Sequence, residues 1–178
     1  MLRKAMQDLR GDEVIARDGR IGALDDLYFD EQCWQVRYLL VATGTELLKP
    51  GVLISAACAC AAALERDQLL VRLSHAQIEL GAGAWAGEAA ARWLERSRVC
   101  SCLDLVGYRV EASNGAAGCV ADLLVDDEDW SIPYVIMDAD SGARERLVPP
   151  DWLDGVDLRN RVLHVRLTRD ELRSAPAL

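Results

Sequence analysis

Four of the six cysteines occur as two C-x-C pairs, and these are the residues of the chain best suited to chemistry. The pairs are Cys58-Ala59-Cys60 and Cys100-Ser101-Cys102. Four thiolates are the ligand set of a tetrahedral zinc or iron–sulfur site, although the usual spacing is C-x2-C. The first pair also lies in an alanine-rich stretch, where cysteine acts as a small apolar residue. A metal-binding or redox-responsive regulator that uses Cys58, Cys60, Cys100 and Cys102 is therefore the alternative function, and the favoured hypothesis involves no cofactor.

The remaining polar residues do not assemble a catalyst. His75 follows Ser74 directly, and neighbouring side chains rarely form a nucleophile–base pair. No third group at a recognisable spacing completes a triad with His75 or with His164. The acidic turn at residues 126–129 lacks the glycine and the glutamate of a calcium loop, so a solvated hairpin turn is the better interpretation. We predict that the protein is not an enzyme.

Composition and charge narrow the class of protein. Hydrophobic residues make up 51% of the 178 residues, and the formal net charge is −9. An acidic surface repels phosphate backbones, so direct nucleic-acid binding is not expected. The first residues lack the apolar core of a signal peptide, and the longest uncharged central stretch, residues 51–64, is too short to span a bilayer. These features predict a cytoplasmic protein without a transmembrane segment, and 18 arginines against 2 lysines are typical of a GC-rich bacterial genome.

The chain contains an internal repeat. A shift of 96 residues aligns residues 8–41 with residues 104–137 without a gap, and 12 of these 34 positions are identical. After a loop that is two residues shorter in the second copy, the match resumes at an offset of 94, where residues 70–74 align with residues 164–168. Agreement at many separated positions indicates that the chain arose by duplication.

Each copy is predicted to consist of short strands with turn residues between them. Asp18-Gly19 and Asn114-Gly115 are the dipeptides that best supply positive φ at both centres of a type I′ hairpin turn. A capped helical turn should end each copy, with a capping box at Thr168 and Glu171 in the second. Five or six short strands with glycine at the bends predict a small closed or nearly closed barrel. The predicted strands are 13–17, 21–29, 34–42, 52–55 and 68–73, and then 109–113, 116–125, 130–138, 146–148 and 161–167.

The order of the residue types that the two copies share resembles that of the PRC-barrel family. It runs D-L-x-G, D/N-G-x-x-G, D-L, an acidic turn, W-x-x-x-Y followed by apolar residues, and V-R-L-S/T before the last helical turn. Members of that family include the cytoplasmic domain of the photosynthetic reaction-centre H subunit and the C-terminal domain of a ribosome-maturation factor. The resemblance implies a mainly β fold of two tandem barrels and a docking module rather than a catalyst. One departure is Pro133, which replaces Arg37 in the third strand and predicts an edge or a bulge there.

The expected organisation is a first barrel at residues 1–80, a helical linker at residues 81–100 and a second barrel at residues 101–178. We expect a pseudo-two-fold axis through the third strands and the linker helix, because a duplicated chain can reproduce the contact of a homodimer. The third strand is apolar on both faces, so either the sister barrel or a second chain, as in a homodimer, must cover it. The expected function is a non-enzymatic adaptor or assembly module that binds a protein partner of unknown identity. The candidate binding residues, on the third strands and on one face of the linker helix, are Tyr38, Leu40, Trp85, Trp93 and Tyr134.

Overall fold

A computed structural model describes residues 2–43, 51–60, 68–82, 97–126, 128–138 and 145–177. These residues form thirteen strands in two sheets, so the fold is mainly β, as predicted. No helix within the described ranges is long and apolar enough to cross a membrane.

The first sheet has six strands in the order β5-β4-β3-β2-β6, with β7 paired to β3. The strands are β2 (Glu13–Ala16), β3 (Gly19–Asp30), β4 (Gln35–Ala42), β5 (Val52–Ser55), β6 (Gln68–Leu70) and β7 (Val99–Ser101). The second sheet has seven strands in the order β11-β10-β9-β8-β13-β12, with β1 paired to β9. Its strands are β1 (Leu2–Lys4), β8 (Arg109–Ala112), β9 (Gly115–Asp126), β10 (Tyr134–Asp138), β11 (Arg146–Val148), β12 (Leu153–Asp157) and β13 (Val162–Val165).

Short helices connect or end these strands. The α-helices are α1 (Ala5–Leu9), α2 (His75–Ala82), α3 (Cys102–Leu105) and α4 (Arg169–Arg173), and the 3-10 helices are Ala56–Cys58 and Pro150–Trp152. The predicted capping box of the last helix is present, because the Thr168 hydroxyl accepts from the Glu171 N–H and the Glu171 carboxylate accepts from the Thr168 N–H.

The two sheets correspond to the two copies of the repeat, which we call the first and the second module. Neither sheet closes into a continuous ladder, although Ala59 bridges Val71 between the outer strands of the first.

The hairpin that opens each module differs from the predicted type I′ turn. Gly19 and Gly115 have positive φ (140° and 126°), but Asp18 and Asn114 are not among the non-glycine residues with positive φ. The prediction of positive φ at both centres is therefore wrong. The physical reason is the register of the hairpin: Ala16 pairs with Gly19 and Ala112 with Gly115, so each glycine begins the second strand and does not lie at a turn centre. The Asp18 and Asn114 side chains each accept a backbone N–H at the start of the last helix of their module, from His75 and from Arg169.

Pro133 shortens the third strand of the second module. The strand was expected to begin at Trp130, but β10 begins at Tyr134, directly after the proline. Proline has no N–H to donate to a ladder, so Pro133 precedes the strand, and the register shift of β10 lies between Ile136 and Met137 instead of at the expected position.

The two modules exchange strands. β7, which directly precedes the second module, pairs with β3 of the first, and β1, at the start of the first module, pairs with β9 of the second. Helices α1 and α3 follow β1 and β7, and they pack against β9 and β3 respectively. We call β1–α1 and β7–α3 the lead-in segments. Each lead-in segment completes the sheet of the other module.

A pseudo-two-fold axis passes between the starts of the two third strands, as predicted. The Val36 N–H donates to the Trp130 carbonyl, and the equivalent Ile132 N–H donates to the Trp34 carbonyl, both at 2.8 Å. Between them Gln35 bridges Ser131, its own counterpart in the repeat. The buried apolar side chains form one cluster that includes residues of both modules, so the contact between the modules is part of the core. Most of the predicted linker helix lies outside the described residues.

Candidate functional site

Each module has the same tight turn before its third strand, next to the pseudo-two-fold axis. The Trp34 N–H donates to the Asp30 carbonyl (2.8 Å), and the Trp130 N–H donates to the Asp126 carbonyl (2.9 Å). Both tryptophans are buried with left-handed φ values of 53° and 62°, a conformation that costs about 1–2 kcal/mol for a side chain with a Cβ. The contact across the axis holds them there, since each tryptophan carbonyl accepts a backbone N–H from the other module. The two tryptophans therefore lie at the junction of the modules.

Asp30 stabilises the first of these turns from within. One carboxylate oxygen accepts the Gln32 N–H at 2.9 Å, and the other lies 3.3 Å from the Arg37 guanidinium. The Gln32 N–H, with a smaller contribution from Arg37, lowers the pKa of Asp30. Asp126 accepts the Glu128 N–H in the same way, at 2.9 Å. The acidic turns are thus hairpin turns fixed by their own carboxylates, as interpreted from the sequence.

A buried carboxylate fastens the second lead-in segment to the first module. Asp26 accepts the N–H groups of Leu27 (2.7 Å) and Leu103 (3.1 Å) and the hydroxyl of Ser101. The Ser101 hydroxyl in turn accepts the Asp104 N–H at 2.9 Å and caps α3. Burial raises the pKa of Asp26, although its hydrogen bonds act in the opposite direction. Its counterpart Asp122 is also buried and accepts the Leu123 N–H at 2.8 Å.

A cleft with a volume of about 890 Å³ lies between the modules. One wall is the turn of the first module, and the other is the 3-10 helix Pro150–Trp152 and β12 of the second. We call it the inter-module cleft. Its lining residues are Glu31, Gln32, Cys33, Trp34, Pro150, Asp151, Leu153, Asp154, Gly155, Val156 and Arg166.

The inter-module cleft is acidic. Glu31, Asp151 and Asp154 carry three carboxylates, against the single guanidinium of Arg166. Arg166 lies 3.6 Å from Asp154, and both side chains are more than 60% exposed, so this pair contributes little to stability. The charge of the cleft is therefore available to a ligand.

A second groove lies at the position related to the inter-module cleft by the pseudo-two-fold axis, but it differs from the cleft. It has a volume of about 210 Å³ and is lined by the equivalent turn of the second module, through Asp129 and Trp130, and by residues 55–57 of the first. At the offset of 94, Asp151 corresponds to Ala57 and Asp154 to Cys60. Two of the three carboxylates of the cleft thus have uncharged counterparts.

The candidate binding residues on the third strands lie apart from the cleft. Tyr38 is half-buried and pairs with Tyr28 of β3 and Ser55 of β5. Leu40 and Tyr134 are also half-buried within their sheets, and none of the three lines the cleft. The predicted residues Trp85 and Trp93 lie outside the described residues. The cleft was not identified from the sequence, because its two walls are distant in sequence. The acidic turn of the first module was the only part of its lining that the sequence pattern singled out.

The cysteine pairs occupy different elements of the fold. Cys58 and Cys60 flank Ala59, which bridges Val71, whereas Cys100 lies in β7 and Cys102 begins α3. Burial raises the pKa of the Cys100 thiol to about 12 and that of the Cys102 thiol well above its ordinary value. With these pKa values both thiols are protonated at neutral pH. Across the described residues, no group of three or more His, Cys, Asp or Glu side chains is arranged to hold a metal ion.

His75 takes part in a surface clamp. Its Nδ1 lies 2.8 Å from the Asp18 carboxylate, and its Nε2 lies 3.0 Å from the carbonyl of Arg20. Both acceptors favour a proton on the nearer ring nitrogen, and the pKa of His75 is raised, chiefly by Asp18. The pKa of Asp18 is lowered, chiefly by His75. This pair joins the opening hairpin to α2.

Comparison with known proteins bears on the first module. No curated protein shows significant similarity to the chain. A family model for the PRC-barrel domain matches residues 3–78, the range that begins in β1 and ends within α2. Residues 3–78 therefore form a PRC-barrel domain.

Proposed function

We propose that the protein is a non-enzymatic protein-interaction module, an adaptor or assembly factor, and that it binds its partner in the inter-module cleft. We also propose that the second module is a PRC-barrel domain. The support for the latter is the repeated residue pattern and the equivalent strand order of its sheet, with β9, β8 and β13 in the places of β3, β2 and β6.

The inter-module cleft is the observation that carries this proposal. One wall belongs to the first module and the other to the second, so the cleft exists only where both are joined. Its volume of about 890 Å³ is within the range of ligand-binding pockets in general. Its turn is fixed by Asp30 and by the hydrogen bonds across the axis, which makes the wall a preformed surface.

The placement of the perturbed groups favours binding over catalysis. A catalytic acid or base is expected to lie in a pocket with a shifted pKa. Asp26, Cys100 and Cys102 have raised pKa values, but none of them lines the cleft. Asp26 instead fastens α3.

Site-specific photo-crosslinking in cells that naturally produce the protein tests this function. Benzoylphenylalanine replaces Gln32 in the cleft in one variant and Glu79, on the exposed side of α2, in the other. We expect the Gln32 position to give a reproducible crosslink to one protein and the Glu79 position to give none to that protein. Equal crosslinking from both positions, or none from Gln32, would contradict the proposal.

A further inference from the structure

We propose that the inter-module cleft takes an extended, basic segment of a protein partner, which adds as a strand to the free edge of β12. This inference rests on the proposed function and specifies the chemistry of the segment that binds.

The edge of β12 supplies backbone hydrogen-bonding groups. β12 ends the strand order of the second sheet, and within the described ranges it pairs with β13 alone. On a strand that is paired on one side, the N–H and C=O groups of the other side remain open to a further strand. Four of its five residues, from Leu153 to Val156, line the cleft.

The cleft offers room along that edge. Apart from Gly155 and its two neighbours in the chain, no atom of the described residues lies within 4 Å of the place where a Cβ on Gly155 would be. A strand rises about 3.3 Å per residue, so five residues of β12 present an edge of about 17 Å, enough for a short peptide segment. Peptide recognition by strand addition uses such an edge for affinity and the neighbouring side-chain sites for specificity.

The charge of the lining selects a basic occupant. Glu31 lies on one wall, and Asp151 and Asp154 lie on the other. Against these three carboxylates stands Arg166 alone, so the four charged side chains sum to −2. The chain as a whole carries −9, which favours the approach of a basic partner.

Apolar residues of the same lining suit an alternating segment. Trp34, Leu153 and Val156 line the cleft together with the carboxylates. Successive side chains of a strand point to opposite faces. A segment that alternates basic and apolar residues can therefore direct the former to the carboxylates and the latter to the apolar lining.

The second groove predicts that one molecule of the protein binds one such segment. The counterparts of Asp151 and Asp154 there are Ala57 and Cys60, and the groove has about a quarter of the volume of the cleft (210 against 890 Å³). Although the fold is pseudo-symmetric, the acidic site occurs once among the described residues.

The test uses the full chain and a fluorescein-labelled hexapeptide of alternating arginine and valine, with anisotropy measured at about 0.15 M salt. We expect saturable binding of one peptide per chain. Asp151→Lys and Asp154→Lys should each weaken it about fivefold or more, whereas Glu79→Lys, which changes the net charge by the same amount outside the cleft, should leave it within about twofold. Circular dichroism verifies that each variant is folded.

Two further peptides separate charge from strand addition. A glutamate–valine hexapeptide should not bind, and an arginine–valine hexapeptide with N-methylated backbone amides should bind at least about fivefold more weakly, because it cannot pair with a strand edge. Equal binding of the methylated peptide, equal loss in Glu79→Lys, or no saturable binding of the first peptide below about 1 mM would each overturn the inference. The proposed function would survive such a result if Gln32 still gave its specific crosslink in cells.

Discussion

At the scale of single residues, equivalent positions of the two modules perform the same task with different chemistry. In the second module the Asn114 side chain accepts the N–H of Arg169 at the start of α4. In the first, Asp18 accepts the N–H of His75 at the start of α2 and also contacts the imidazole. In the second module, the groups that hold the last helix do not titrate near neutral pH. In the first module, the last helix is held by the Asp18–His75 pair, and the histidine titrates in this range.

This difference predicts a pH dependence that belongs to the first module. Because the pKa of His75 is raised in the folded state, its contribution is complete below the unfolded-state value of about 6.5 and is lost as the pH rises through the higher folded value. The pKa of Asp18 is lowered, so its contribution is present above about 3.9 and is lost as the pH falls through the lower folded value. Stability from the pair is therefore greatest between these limits.

The measurement is the melting temperature of the wild type, His75→Arg and Asp18→Asn at a series of pH values from 5 to 8.5. We expect the wild type to lose more stability above pH 6.5 than either variant, since each variant places the residue type of the second module at that position. Both side chains are more than 40% exposed, so the effect should be small. An NMR titration that gives His75 a pKa at or below 6.5 would contradict the clamp.

At the scale of elements, the long hairpin strands were predictable and the exchanged strands were not. β3 and β9 have alternating or apolar patterns over twelve residues each, which the repeat reinforces. β1 and β7 have three residues each, too few to show a period, and their pairing depends on strands of the other module. β12 contains two adjacent exposed residues, Asp154 and Gly155, and glycine and aspartate are poor strand formers. The free edge that carries the proposed site was thus hidden from sequence.

The fastening of α3 by Asp26 predicts a large loss of stability when the carboxylate is removed. Asp26→Ala leaves the N–H groups of Leu27 and Leu103 and the Ser101 hydroxyl without their acceptor, which should destabilise the fold by about 3 kcal/mol. Ser101→Ala removes one bond of the set and should cost about 1 kcal/mol.

Denaturant unfolding at pH 7 measures both losses, and Asp25→Ala is the matched control. Asp25 is the neighbouring residue, half-exposed, and its carboxylate pairs with Arg10 at the surface (3.1 Å), so its removal should change the free energy of unfolding by less than about 0.5 kcal/mol. A loss in Asp25→Ala as large as that in Asp26→Ala would show that charge, and not the buried hydrogen bonds, is responsible.

At the scale of the whole molecule, the modules share one core and should unfold together. Their buried side chains form one cluster, and each sheet contains a strand from the other module's lead-in segment. Loss of one module would uncover strand edges and apolar surface of the other. We therefore expect one cooperative transition.

Denaturant unfolding followed by tryptophan fluorescence and by far-ultraviolet circular dichroism measures this cooperativity. The two probes should give coincident curves, and the slope with denaturant should match the surface exposed by the whole chain. Two separated transitions, each with the slope of a chain of about half the length, would mean that the modules fold independently in spite of the exchanged strands.

The reciprocal lead-in segments also constrain how the two copies can evolve. A substitution at Ser101, in the second half of the sequence, alters the surroundings of Asp26 in the first. Neither half can be replaced by recombination with a single-copy relative unless the incoming half carries a matching segment. The copies have diverged at the acidic cleft, where Asp151 and Asp154 have the uncharged counterparts Ala57 and Cys60, but at the exchanged strands they are inherited as one unit.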